Sequence, residues 1–281
     1  MRYVSFEAQG RSSWGVIDGD SVFDLGARGI AASLLEHLAG AGGPLPQSTS
    51  SADYQLADIR LNVPVSGSRI FCVGRNYKAH RDEMGHAEAE SPSLFTRTWQ
   101  SVVGAGSPIR RPAASDHYDF EGELACIIGK AGRHIEPTAA LSHVFGYSCF
   151  NDGTLRDFQQ ASLTAGKNFD DSGAFGPWIV EAAEAPAWDA MNLTTRLNGD
   201  TVQQTVTDQM IFGLPDLIAY ISKITTLLPG DVIATGTPSG VGARRTPPLW
   251  MKKGDVIAVE IDRIGVLSNP VHTEVGSEGS T

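Results

Sequence analysis

Nothing in these 281 residues reads as a membrane span, because no apolar run approaches the ~18 residues that one needs. The amino terminus, Met1-Arg-Tyr-Val-Ser-Phe-Glu7, brings in an acid early and has no apolar signal core. Basic residues are in the minority. Lys and Arg total 22 against 32 Asp and Glu, a formal net charge of −10. With no basic stripe either, non-specific nucleic-acid binding is not expected. Cysteine is scarce: Cys72, Cys126 and Cys149 have no metal or redox spacing, and each lies in an apolar stretch. They predict buried, reduced thiols and a cytoplasmic protein. There is no His-x-x-x-His and no Cys pair, which argues against a zinc hydrolase. Internal repeats are absent. Turn formers are plentiful, with 31 glycines and 15 prolines, as in a strand-rich fold.

The chain divides near residue 60. Short strands are predicted at Arg2–Phe6, Trp14–Ile17 and Ser21–Asp24, with Asp18-Gly19-Asp20 as a hairpin signal and a helix over Ile30–Leu38. A Gly- and Ser-rich loop follows over 39–51. We read 1–62 as a small N-terminal α/β domain, 63–275 as the main domain, and 276–281 as a flexible tail. Strand-like runs dominate the main domain, including Arg69–Val73, Gly122–Ile128, Val232–Ala234 and Asp255–Ile261. Asn198-Gly199 is a tight turn between two strands. Helices are predicted over Tyr77–Met84, from Thr154 to about Gln160, and over Leu214–Ile224, the last with Ile218, Ile221 and Ile224 on one stripe. The class is β-rich α+β, without regular strand–helix alternation.

The stretch Tyr118-Asp-Phe-Glu-Gly-Glu-Leu-Ala-Cys-Ile-Ile-Gly129 carries the most information. Residues two apart in a strand share a face. Glu121, Glu123 and Ala125 therefore lie together, opposite Phe120, Leu124 and Cys126. An isolated Glu-x-Glu is ordinarily a solvated strand edge. Here the other face is core, and Asp152 follows a second apolar run, Val144–Phe150. Two adjacent carboxylates repel unless a cation sits between them. Three acidic side chains without Cys or His suit a hard ion, Mg²⁺ or Mn²⁺.

Other polar groups surround this set. His80 and Glu83 stand three apart on one helix face, with Asn76 able to cap that helix and Gly85 to end it. A carboxylate that steers a histidine makes it a good general base, although an ordinary surface pair has the same spacing. His37, His117, His134, His143 and His272 read as structural or solvated, with His86 in reserve. Arg156 and Gln159 share one side of the next helix, with Lys167 soon after. A salt bridge from that helix to Asp157 is the plain alternative. Ala234-Thr-Gly-Thr-Pro-Ser-Gly-Val-Gly242 is a glycine-rich turn whose N–H groups, with Thr237, could meet an anion. Arg75, Arg97, Arg110 and Arg111 are surface charges unless one of them points into a cavity, where it would favour a dicarboxylic substrate.

Over roughly Arg69 to Val271 the chain resembles the fumarylacetoacetate hydrolase family. The resemblance rests on Gly74-Arg-Asn-Tyr-Lys-Ala-His80, Tyr118-Asp-Phe-Glu-Gly-Glu-Leu124, Asn151-Asp152 with Arg156-Asp157 and Gln159, Gly166-Lys-Asn-Phe-Asp170, and Leu228-Pro-Gly-Asp-Val-Ile-Ala-Thr-Gly-Thr-Pro-Ser-Gly240. It implies a rolled, mixed β-sheet in a homodimer, with Mg²⁺ or Mn²⁺ on Glu121, Glu123 and Asp152. It also implies His80 with Glu83 as a water-activating dyad, Lys167, Arg156 and Gln159 as a polar cradle, and Thr237 as a substrate contact. Arg75 and Tyr77 in the first segment are taken as further substrate contacts. The larger eponymous enzymes have a fourth carboxylate seven positions before the histidine. Val73 stands there in this chain, as in the shorter members.

The activity so implied is hydrolysis of an acylpyruvate, a 2,4-dioxo acid such as maleylpyruvate or fumarylpyruvate. His80 would take a proton from water, and Lys167 and Gln159 would meet the oxyanion. Oxaloacetate decarboxylation, hydroxymuconate isomerisation and dienoate hydration fit the same residues. A non-catalytic module with a structural cation is the rival of another class. The Asn76–Gly85 helix is expected to be a mobile lid.

Overall fold

The computed structural model describes residues 1–41, 51–84 and 90–274. Most of the expected linker, the Gly85 helix stop, His86 and the tail from 276 lie outside these residues. Period-two patterning builds a mixed sheet of 12 strands. Its centre is the strand Gly122–Ile128, paired antiparallel with Val144–Asn151 on one side and Val232–Ala234 on the other. Beyond Val232–Ala234 the sheet continues parallel to Ile70–Gly74 and then antiparallel to Ser93–Arg97. Beyond Val144–Asn151 it continues to Gly173–Glu181 and then to Arg2–Ala8, so the N-terminal strands extend the same sheet. A second sheet of five strands packs against it, in the order 200–206, 192–197, 256–261, 265–273, 109–111. Asn198 and Gly199, both at positive φ, make the tight turn within that sheet, as expected.

The central strand is buried on both sides. Leu124, Cys126 and Ile128 pack with Leu193, Val259 and Ile261, while Ala125 and Ile127 pack with Phe150, Phe175 and Val232. The face that bears Glu121 and Glu123 therefore runs on as core rather than as solvated edge. All three cysteines are buried and free. The helix Leu214–Ile224 lies where its periodicity puts it and buries Leu217, Ile218 and Ile221. Ile224 departs from the expected stripe and is 59% exposed, because the last turn runs past the edge of the core.

Two expected helices are shorter. The one placed over Ile30–Leu38 is only Leu34–Glu36. Ser33 accepts from the Glu36 N–H and starts it there, and Gly40 at φ 83° breaks the wider turn that follows. The one placed from Thr154 is only Arg156–Gln159, because Thr154 and Leu155 pair as strand with Tyr118 and Asp119. A short helix, Leu163–Lys167, was not anticipated; Ser162 caps it and it delivers Lys167. Among the described residues no helix is long and apolar enough to cross a membrane.

Candidate active site

Strand pairing assembles the three carboxylates. Gly122 lies opposite Asn151, and the Asp152 N–H donates to the Glu121 carbonyl at 2.8 Å. Glu121 sits in the break just before its strand and Asp152 just after its own, so both emerge at the same end of the sheet. Glu121, Glu123 and Asp152 are buried, and each offers an oxygen within 4.8 Å of the others. Glu121 is held by two cations: Arg156 Nη2 lies 2.6 Å from its Oε1 and Lys167 Nζ 2.6 Å from its Oε2. Asp152 is held likewise, with Arg97 Nη1 at 2.6 Å from Oδ1 and Lys167 Nζ at 2.5 Å from Oδ2. Glu123 accepts from the Gly236 N–H at 2.8 Å and has no cationic partner among the described residues.

These surroundings pull the carboxyls apart. Burial raises the Glu121 value, but the charges of Lys167 and Arg156 outweigh it and hold the group at about 2. Burial, with Asp152 and Glu121 beside it, pushes Glu123 well above the carboxylate range. Burial works against the Lys167 ammonium, but Asp152 and Glu121 raise its value, so it stays charged. A cluster of hard oxygen donors, one without a counter-charge, is chemically suited to a divalent cation. The donor set does not choose between Mg²⁺ and Mn²⁺.

His80 and Glu83 form one wall, on the helix Lys78–Met84. His80 Nδ1 lies 3.2 Å from Glu83 Oε2, and the Glu83 carboxylate accepts from the Gly240 N–H at 3.1 Å. Burial raises the Glu83 value, but the bonds to His80 and Gly240 lower it overall. The helix expected to be a mobile lid is docked here: His80 is 4% exposed and Glu83 is tied to the glycine-rich turn.

Asn76 does not cap this helix. Its amide donates to the Phe212 and Thr235 carbonyls and accepts from the Phe212 N–H, fastening the helix start to the neighbouring loops. Arg75, just before it, is held at φ 59° and faces the cavity. Tyr77, expected as a substrate contact, lies outside the cavity lining. It is 1% exposed and packs in the main core, because the Asn76 tether turns the next side chain inward.

His80, Lys167, Arg75, Arg156, Gln159 and Thr237 share one cavity of about 400 Å³ with the three carboxylates. Glu83 stands behind His80, outside its lining. Thr237 is nearly buried; its hydroxyl donates to the Gly122 carbonyl and accepts from Gln203, so it braces the carboxylate strand. Gln159 Oε1 accepts from Arg156 Nη1 at 2.9 Å. Arg156 pairs with Asp119 and Glu121 rather than with Asp157, which accepts from Ser115 and lies 4.0 Å from His117 Nδ1. Among the other arginines, Arg97 is no surface charge. Its side chain is 0% exposed and fixed on Asp152, Gly153, Ser101 and Ser172. Arg110 and Arg111 pair with Asp171 and Asp116, away from the cavity. Arg244 also lines it and was overlooked in the sequence. So was Asp119, although the run Asp119-x-Glu121-x-Glu123 carried the period-two signal. A cleft of about 450 Å³ lies between the N-terminal strands and residues 62–66, far from this chemistry and without a cluster of metal-ligating groups.

The family model described as Fumarylacetoacetate (FAA) hydrolase C-terminal matches residues 69–272. The oxaloacetate tautomerase fahd2, mitochondrial, of Xenopus laevis is 36% identical over 287 residues, covering 96% of this chain and 90% of that protein. The oxaloacetate tautomerase YisK of Bacillus subtilis (strain 168) is 40% identical over 226 residues, covering 78% of this chain and 75% of that protein. Among solved structures, a fumarylacetoacetate hydrolase from psychrophilic Exiguobacterium antarcticum superposes with a TM-score of 0.87 at 38% identity, covering 98% and 100% of the two chains. A 5-carboxymethyl-2-hydroxymuconate delta-isomerase from Mycobacterium smegmatis gives 0.79 at 30% identity, with the same coverage of 98% and 100%.

Proposed function

The chain belongs to the fumarylacetoacetate hydrolase family, and from that premise we propose that it is a metal-dependent tautomerase of a 2-oxo dicarboxylic acid, oxaloacetate first. One observation carries the reading: His80, backed by Glu83, faces the same cavity as the three buried carboxylates. Keto–enol exchange moves one proton off the carbon beside the 2-oxo group and places one on its oxygen. Glu83 at Nδ1 orients the ring and leaves Nε2 as the nitrogen that exchanges the carbon-bound proton. Lys167 keeps its charge and spends its three donors on Glu121 Oε2, Asp152 Oδ2 and the Asp152 carbonyl, so it holds the acid cluster in place rather than acting as a second base. Arg75 and Arg244 at the rim match a second carboxylate. A divalent cation held by Glu121, Glu123 and Asp152 would supply Lewis-acid polarisation of the 2-oxo group. The names of the relatives at 36% and 40% identity favour tautomerisation over the other reactions of such a site.

Acylpyruvate hydrolysis is the second reading. The cavity of about 400 Å³ has apolar side chains, Phe95 and Leu163, beside its polar floor, which suits a chain longer than a four-carbon acid. The test follows the decay of the oxaloacetate enol absorbance with Mn²⁺ or Mg²⁺, with and without chelator. Pyruvate release from acetylpyruvate, maleylpyruvate, fumarylpyruvate and oxaloacetate is run in parallel. Tautomerisation should be accelerated, sensitive to chelator, and about 100-fold or more slower in His80→Gln. Faster pyruvate release from a 2,4-dioxo acid would make the protein a hydrolase, and pyruvate from oxaloacetate alone a decarboxylase. No acceleration of any of these would overturn both readings.

A further inference from the structure

Asp119 is wholly buried and lies outside the carboxylate trio. Its Oδ1 accepts from the N–H of Gly242 at 2.7 Å and of Phe120 at 2.9 Å. Its Oδ2 accepts from the Ala243 N–H at 3.0 Å and from Arg156 Nε at 2.8 Å. Four donors fill the positions a carboxylate offers, so this group is committed to its protein partners. Those partners are parts of the site. Arg156 uses its other nitrogens on Glu121 and Gln159. Gly242 and Ala243 stand between Gly240, whose N–H holds Glu83, and Arg244 on the cavity lining. Gly242 approaches this closely because it has no side chain; a Cβ there would lie 1.8 Å from the Leu249 carbonyl oxygen.

We propose that Asp119 is a positioning residue that fixes Arg156 on Glu121 and locks the carboxylate floor to the turn behind the His80–Glu83 wall. The inference rests on the reading of the trio as a cation site. Asparagine has the same shape but keeps only one accepting oxygen, and its NH₂ would confront two of the N–H donors. With Arg156 released, Glu121 loses its fixed orientation, and a cation ligand that is not held binds less well.

The experiment titrates Mn²⁺ by electron paramagnetic resonance into the full chain, wild type, Asp119→Asn, Arg156→Lys and the double variant, with circular dichroism on each. Asp119→Asn should weaken Mn²⁺ binding about tenfold or more. The double variant should be no weaker than the worse single one, because both cut the same tie. General loosening of the fold would instead make the two losses add, and that outcome overturns the proposal. So does wild-type affinity in Asp119→Asn. If that variant does not fold, Arg156→Lys cuts the tie from its other end, and unchanged affinity there is equally fatal. A wild-type chain that binds no Mn²⁺ would overturn the metal reading and this proposal together; binding by wild type with unchanged affinity in the variants would overturn this proposal alone.

Discussion

Glu121, just before the central strand, and Glu123, on it, sit two residues apart, yet their surroundings drive them in opposite directions. Burial opposes both charges; Lys167 and Arg156 outweigh it at Glu121, whereas at Glu123 the charges of Asp152 and Glu121 add to it and Lys167 does not offset them. The consequence is a pH dependence with a definite sign. A carboxyl held at about 2 in the folded chain, against 4.5 ordinarily, lends stability that is full above 4.5 and lost as pH falls toward 2. Glu123, raised in the folded chain, is protonated there, and its unfolded form becomes protonated as pH falls below 4.5, so its contribution in that window is small and of the opposite sign. Chelated protein should therefore lose thermal stability as pH is lowered from 4.5 to about 2, and Glu121→Gln should lose less. Melting temperatures taken in steps across that window check this, and equal slopes for the two proteins would refute it.

At the scale of elements, the turn after Val232–Ala234 does more than reverse the chain. Gly236 takes φ +101°, and a Cβ on it would lie 2.8 Å from the Asn76 Cβ and 2.9 Å from the Val73 carbonyl oxygen. The same residue donates its N–H to Glu123. Gly236→Ala should cost about 1–3 kcal/mol through backbone strain and crowding together. It should also weaken Mn²⁺ binding by moving that N–H off the carboxylate. Urea unfolding midpoints and a metal titration measure the two effects separately. Period two made the trio and the core legible in the sequence, since both follow from which face each side chain takes. Arg97 was not legible. One basic residue followed by Thr98 looks like a surface charge, and its burial depends on Asp152, 55 residues away in sequence. The burial of Tyr77 was not legible for a similar reason, because the bonds that fasten its neighbour Asn76 run to Thr235 and Phe212. Local rules stop where such distant bonds begin.

Across the whole molecule, the N-terminal strands are not merely appended. Arg2 pairs with Val180 and Tyr3 with Ile179, and Trp14 and Leu34 enter the same core cluster as Ala125 and Phe175. Removing residues 1–62 would leave the Ile179–Val180 end of the Gly173–Glu181 strand without its outer partner and uncover part of that core. The 63–281 fragment should therefore aggregate or melt well below the full chain, rather than fold as an independent unit. Light scattering and thermal melts of the two proteins decide this, and a monodisperse fragment with an unchanged melting temperature would show the N-terminal strands to be dispensable. Fold class and family were readable from the sequence; the joining of the N-terminal strands to the main sheet was not, because it is set by pairing across more than 170 residues.

The cavity has a floor on paired strands and a rim on short helices and turns. Its acids emerge from the middle of the sheet, where a substitution disturbs core and charge balance together. Arg75, Gln160 and Arg244 stand on segments that bear less of the core. A change at the rim should therefore alter how the far end of a bound acid is held while the acid cluster on the floor stays as it is.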